Sequence, residues 1–277
     1  MHKHITFIGG GNMAASLIGG LLQDGHPAER IAVVEPVEER RQWLSREFQI
    51  ECQAETNLSN TDVVVLAVKP QVLQTVAKNL AVAIQQNNVL VVSIAAGIRC
   101  EDMARWLGGH RSIVRCMPNT PALVQTGATG LYALDEVSSE QRRTAESVLR
   151  AVGLTLWVEE ESLIDSITAI SGSGPAYFFH FMEALQAAGQ KLGLEPQKAR
   201  LLTLQTALGA ARMALESKED LAELRRRVTS PGGTTERALQ SMDAENFVDI
   251  VGRAAAAAAQ RAAELADDLG ADQTGDE

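Results

Sequence analysis

The sequence predicts an α/β fold in which a parallel-sheet domain is followed by an all-helical domain. Three observations predict it. Apolar β-branched runs alternate with amphipathic stretches through the first two-thirds of the 277 residues, the pattern of βαβ units. The run from Val63 to Val68 is continuously apolar, as expected of a strand covered on both faces. After about Ser162 β-branched runs almost vanish, and Ala- and Leu-rich helical patterns follow one another.

Taken in order, strands are expected at Ile5–Ile8, Ile31–Val34, Val63–Val68, Val89–Ile94, Ser112–Met117, Thr129–Ala133 and Thr155–Val158. Helices are expected between them at Met13–Leu22, Glu38–Phe48, Val72–Ile84, Glu101–Leu107 and Ser138–Ala151. In the second domain Pro175 and Pro196 stand where helices begin, because proline is tolerated at a first helical position. The last helix runs from Phe247 to about Leu269 and contains Ala254–Ala259, a thin face suited to close helix–helix approach. Asp267–Glu277 reads as a polar, acidic, loose tail. A helical domain with so many Ala and Leu faces is expected to complete its burial against another subunit.

Composition narrows the function classes. The formal net charge is −10 and the pI about 5.1, which disfavours a nucleic-acid partner held through its phosphates. No apolar run approaches the roughly 20 residues that cross a bilayer, so no membrane partner is expected. The N-terminus lacks the long apolar stretch of a signal peptide, and a cytoplasmic location is the expectation. Cys52, Cys100 and Cys116 fit neither a disulfide framework nor a metal-ligand spacing, and no metal site is expected.

The first chemical motif directly follows the first strand and reads G-x-G-x-x-A through Gly9, Gly11 and Ala14. The first glycine allows a tight turn, the second lets a pyrophosphate approach the backbone, and alanine lets the helix pack near the strand. The phosphates then meet the free N–H groups at the helix start. The second strand ends at Glu35, where a carboxylate would bond ribose hydroxyls and favour NAD over NADP. Arg40 and Arg41 follow closely, and either reaches for a 2′-phosphate or lies on a solvated helix face.

Two further segments close strands: Ala67-Val68-Lys69-Pro70-Gln71, and Ser93 to Gly97 with Ile94, Ala95 and Ala96. Carboxyl ends of strands are where open α/β sheets bind ligands, and the small residues at 95–97 leave room for a flat ring. Lys69 is read either as a proton donor or as an exposed or carbonyl-held lysine. Asn119 and Thr120 either fix a ring amide or substrate, or cap the turn. Ser171–Tyr177 reads as a flexible turn before a helix. Val228–Thr235 precedes another helix, and its Gly232, Gly233, Thr234 and Thr235 N–H groups form a cradle suited to a carboxylate.

Together these segments resemble the pyrroline-5-carboxylate reductase family. The resemblance runs in order along nearly the whole chain: Phe7–Met13, Ala67–Gln71, Met117–Ala122, Ser171–Tyr177, and Thr229–Thr235 followed by Ala238 and Leu239. The first segment fits many dehydrogenases, whereas the last two together are specific to this family. The resemblance implies reduction of Δ1-pyrroline-5-carboxylate to L-proline, the last step of proline synthesis, with NADP(H) or NAD(H). It implies a Rossmann-like domain and a helical dimerisation and substrate domain, which the change of texture bounds at 1–162 and 163–270, with an acidic tail over 271–277. It also implies a homodimer as the minimal unit, with dimers assembled in the family into decamers. In the family the substrate sits where the cofactor domain meets helices of the paired subunit.

Mapped onto matching positions, the cofactor contacts are Ile8, Gly9, Gly10, Gly11, Asn12, Met13, Glu35, Asn57, Ala67, Val68, Lys69, Pro70, Ile94, Ala95 and Ala96. The substrate loop comprises Ser230, Gly232, Gly233, Thr234 and Thr235, with Thr235 the catalytic residue near the ring nitrogen. Glu35 departs from the small hydroxyl or basic residue usual in the family, which weakens the case for strong NADP preference. Hydride addition to an imine that carries its own proton needs no catalytic triad, metal or carboxylate pair, and the sequence offers none.

Two competing readings remain. A β-hydroxy-acid dehydrogenase of similar shape needs a lysine on an early helix of the second domain, but Lys191 lies near the end of the first long one. A dinucleotide sensor without turnover needs no carboxylate cradle at 232–235.

Overall fold

A computed structural model describes residues 2–271 of the chain. Its strands are β1 (Ile5–Ile8), β2 (Ile31–Val34), β3 (Glu51–Gln53), β4 (Val63–Leu66), β5 (Leu90–Ser93), β6 (Ile113–Met117), β7 (Gly127–Ala133) and β8 (Gly153–Trp157). They form one sheet in the order β3-β2-β1-β4-β5-β6-β7-β8. The first six run parallel; β7 is antiparallel to β6, and β8 is parallel to β7. The order reverses between β1 and β4, which creates the crevice where doubly wound sheets bind ligands.

The strands are short and apolar because both faces are covered. Phe7, Val33, Val65 and Val92 belong to one core cluster, whereas Val64, Leu66 and Val91 belong to the other. Helices α1 (Asn12–Gln23), α2 (Glu38–Phe48), α3 (Pro70–Asn87), α4 (Cys100–Trp106) and α5 (Ser139–Arg150) separate the strands. Leu17, Ile18 and Leu149 join the first cluster, and Leu73, Ile84 and Met103 join the second. A capping box starts α5: the Ser138 side chain accepts from the Gln141 N–H while the Gln141 side chain accepts from the Ser138 N–H.

Several sequence expectations are corrected. β3 is absent from the expected strands because Glu-Cys-Gln shows no apolar alternation; it forms by pairing with Ala32–Val34. The third expected strand ends at Leu66 rather than Val68, and α3 starts at Pro70 because proline sits well at a first helical position. The helix expected around Pro175 starts at Gly174, but the flexible turn expected before it is helical except at the Ser173 junction. Helix α6 (Leu163–Ile167) widens into a π-helical turn over Thr168–Gly172, closed by the Ser173 N–H on the Thr168 carbonyl at 2.7 Å, and α7 (Gly174–Lys191) follows.

Helices α8 (Pro196–Glu216), α9 (Leu221–Arg227), α10 (Thr234–Ala244) and α11 (Phe247–Gly270) complete the described chain. The acidic tail begins later than expected. Arg99 pairs with Asp267 at 2.6 Å and Arg105 donates to the Gly270 carbonyl at 2.7 Å, so 267–270 remains helical. The rest of that segment, 272–277, lies outside the described residues.

The chain forms two compact units: residues up to Ser173 together with those from Ala258 on, and Gly174–Ala257. The first contains the sheet and both cores. The second is helical and buries only Gly174, Ala199 and Thr203 by itself, leaving Phe178, Phe179, Leu201, Leu208 and Val248 each more than 60% exposed. No helix among the described residues is long and apolar enough to cross a membrane.

Candidate functional site

The glycine turn after β1 is forced by its surroundings. Gly9 has φ +99°, and a Cβ there would lie 2.7 Å from the Ala67 carbonyl oxygen, so only glycine fits. Its N–H donates to the Val34 carbonyl at 2.8 Å, and the Ala67 N–H donates to Ile8 at 2.9 Å. Residue contacts therefore bring Ile8, Gly9, Glu35 and Ala67 to the carboxyl ends of β1, β2 and β4. Ile94 joins them through its N–H on Leu66 at 3.1 Å. Ala95 is buried beside it and Ala96 is exposed.

Gly11 caps α1, and a Cβ there would meet nothing within 4 Å. Open space above a helix N-terminus whose first N–H groups have no intrahelical partner fits a dinucleotide pyrophosphate. Asn12 and Met13 supply those groups, and the fully buried Ala14 packs α1 against the core. Gly10 serves a different end: its N–H donates to Glu35 Oε2 at 2.9 Å.

Glu35 Oε1 accepts from the Val37 N–H, also at 2.9 Å. Arg40 donates to the Gly10 carbonyl at 2.6 Å and stacks 4.2 Å over Trp43. Arg41 donates to the carbonyls of Glu35 and Pro36 at 2.8 and 2.7 Å. Both arginines thus hold the loop rather than lie on an open helix face.

Lys69 is exposed, without a partner among the described residues, and immediately precedes Pro70 and α3. Val68 packs partly buried against the second core. Asn57 lies in the loop between β3 and β4, where its side-chain Oδ1 accepts from the Ser59 N–H and hydroxyl at 3.1 and 2.6 Å. Leu58 is buried in the second core, but Asn57 lines a groove with His4, Thr6, Arg30 and Ala32, toward the amino ends of β1 and β2, so the structure does not bring it to the glycine turn.

Neighbours decide the roles of Gly97 and Asn119. A Cβ on Gly97 would meet Leu269 at 3.1 Å and Leu265 at 3.5 Å, so that glycine accommodates α11. The Asn119 side chain is consumed internally: it donates to the Ser171 carbonyl at 3.0 Å and accepts from the Ala128 N–H at 2.8 Å. It holds the 119–128 loop rather than facing a ligand.

In the helical unit the 230–235 loop turns through Gly232 at φ +71° into α10, with Gly233 as the cap. Only part of the expected N–H cradle is free. Gly233 donates to the Ser230 carbonyl at 3.0 Å, and Gly232 donates to Glu236 Oε2 at 2.8 Å. The Thr234 and Thr235 N–H groups and the Thr235 hydroxyl have no partner among the described residues. The sequence reading missed Glu236, although a carboxylate in the first turn of a helix is the signal for such a back-bond.

It also missed the buried pair network behind β6. Arg115 is 3% exposed and meets Glu161 at 3.0 Å and Asp165 at 3.3 Å, while Glu161 also accepts the Cys100 N–H at 2.8 Å. Burial pushes the Cys100 and Cys116 thiols well above their ordinary range, which leaves them unreactive.

Comparisons with known proteins bear on this arrangement. Residues 161–265 match the model described as pyrroline-5-carboxylate reductase dimerisation, and residues 4–97 match the one described as NADP oxidoreductase coenzyme F420-dependent. The chain is 55% identical to pyrroline-5-carboxylate reductase of Pseudomonas aeruginosa, over 96% of this chain and 98% of that protein. It superposes on a pyrroline-5-carboxylate reductase from Coxiella burnetii with TM-score 0.92 at 45% identity, covering 96% and 99% of the two chains. Plasmodium falciparum pyrroline carboxylate reductase, solved with NADP bound, gives TM-score 0.83 at 27% identity, covering 95% and 98%.

Proposed function

The chain belongs to the pyrroline-5-carboxylate reductase family, and from that premise we propose how its residues divide the labour of the reaction. The protein is an NAD(P)H-dependent oxidoreductase that reduces the C=N bond of Δ1-pyrroline-5-carboxylate to give L-proline. When bound, the reduced nicotinamide supplies the hydride, and the imine nitrogen carries the accompanying proton.

In this proposal residues 1–162 bind the cofactor, and 163–270 bind substrate and a second subunit. Gly11, Asn12 and Met13 hold the pyrophosphate by backbone N–H groups. Glu35 faces the adenosine end. Residues Ala67–Pro70 and Ile94–Ala96 border the rest of the cofactor at the ends of β4 and β5. The Thr234 and Thr235 amides bind the substrate carboxylate, within the loop that includes Ser230, Gly232 and Gly233. The Thr235 hydroxyl bonds the ring nitrogen and fixes the imine carbon for hydride addition. The observation carrying these roles is the unpartnered Thr235 hydroxyl beside two free N–H groups at the start of α10.

The proposal places the enzyme in the cytoplasm as a homodimer, with five dimers joining into a decamer. Initial rates of NADH and NADPH oxidation by purified protein, with and without pyrroline-5-carboxylate, test the reaction. Imine-dependent oxidation is expected; cofactor binding without turnover would point instead to a sensor.

A further inference from the structure

We propose that Glu35 selects NADH over NADPH in this enzyme, an inference that rests on the cofactor placement above and goes beyond it by fixing the preference. The carboxylate stands at the end of β2 beside the glycine turn, and each of its oxygens is already held by a backbone N–H: Gly10 on Oε2 and Val37 on Oε1, both at 2.9 Å. Two clamps on two oxygens fix the plane of the group. Each oxygen still has a lone pair, which suits it to accept hydrogen bonds from a ribose diol. A 2′-phosphate has no proton to donate in its ionised form and would set a second negative charge against a carboxylate that cannot turn away.

The two nearby arginines are turned onto the backbone, each through one nitrogen. Arg41 spans the Glu35 and Pro36 carbonyls. Arg40 donates to the Gly10 carbonyl and stacks on Trp43; its Nη2 has no partner but is shut off from solvent. Turning either guanidinium onto a 2′-phosphate would disturb a bond that holds the glycine turn (Arg40 through Nε) or the loop after β2 (Arg41 through Nη1). Leu44 packs close to the same turn: a Cβ on Gly10 would lie 2.4 Å from Leu44 Cδ1 and 3.3 Å from Glu35 Oε2, so Gly10 must be glycine for Glu35 to reach its N–H. The structure thus combines an attractive element for the diol with a repulsive one for the phosphate.

The test uses the full-length protein and reads binding as well as turnover. Calorimetric titration with NADH and NADPH, and displacement of bound NADH by ADP or 2′,5′-ADP, report the adenosine end without any chemistry. The expectation is tighter binding and higher kcat/KM for NADH by about tenfold or more, with ADP displacing NADH better than 2′,5′-ADP does. Glu35→Ser should narrow the ratio mainly by improving NADPH.

Equal or tighter binding of NADPH by the wild-type protein would overturn the inference, as would a Glu35→Ser ratio unchanged from wild type. If that variant fails to fold, the ADP and 2′,5′-ADP comparison on wild type decides alone. Discrimination in binding without imine-dependent turnover would sink the reductase mechanism while supporting the role of Glu35.

Discussion

Thr235 concentrates the chemistry that a single side chain contributes here. Its hydroxyl is free of intramolecular partners at the start of α10, so removing it should leave the fold intact. Thr235→Ala is expected to lower kcat/KM for pyrroline-5-carboxylate by about one to two orders of magnitude, as for one well-placed hydrogen bond. Steady-state kinetics with wild-type constants would exclude the assignment. At this scale the glycine motif was legible because only glycine satisfies Gly9's positive φ and its contact with Ala67. The partners of Arg115 were not. Glu161 and Asp165 lie far along the chain, and their pairing depends on how α6 returns to β6. Arg115→Met would leave two partly buried carboxylates without their cation and is expected to destabilise the protein by about 3–5 kcal/mol in denaturant unfolding. A loss below 1 kcal/mol would show that the acids find water instead.

Elements were legible where a local signal set them. Helix α2 starts and ends at the residues expected, closed by Gln49 in the left-handed region, and α5 carries its own capping box. Where the signal was ambiguous, neighbours decided. Glycine and proline around 172–175 look like a turn, but the backbone continues by i→i−5 bonding, and Gly172 lets Met117 pack against it. The start of α10 makes the same point. Four N–H groups looked available, yet the carboxylate of Glu236 occupies that of Gly232, as a substrate carboxylate would. Glu236→Ala should therefore lower KM for the imine several-fold with kcat nearly unchanged. It should also cost roughly 0.5–1 kcal/mol of stability through the lost interaction at the helix start. An unchanged KM would show that the Gly232 amide takes no part in substrate binding.

At the scale of the whole molecule, the helical unit is incomplete alone. Leu201, Leu204 and Leu208 share one stripe of α8 at helical spacing, yet they are 64%, 40% and 62% exposed. A stripe of this kind on a region matched as a dimerisation segment is expected to be buried between subunits. Leu201→Glu combined with Leu208→Glu should reduce the mass in solution to that of a 29.7 kDa monomer, measured by light scattering. An unchanged mass would place the contact on other helices.

The sequence by itself determined the alternation of strands and helices, the glycine turn, Glu35 at the end of β2 and the change to helices after about Ser162. Each is written in short-range periodicity or in residues that only one backbone conformation admits. The tertiary structure decided which groups are free. It bound Asn119 to Ser171, turned Arg40 and Arg41 onto backbone carbonyls, clamped Glu35 between Gly10 and Val37, and withdrew Gly232 from the cradle. The physical reason is that a residue type fixes what a side chain can bond, whereas the partner that reaches it first is set by the packing of segments distant in the chain.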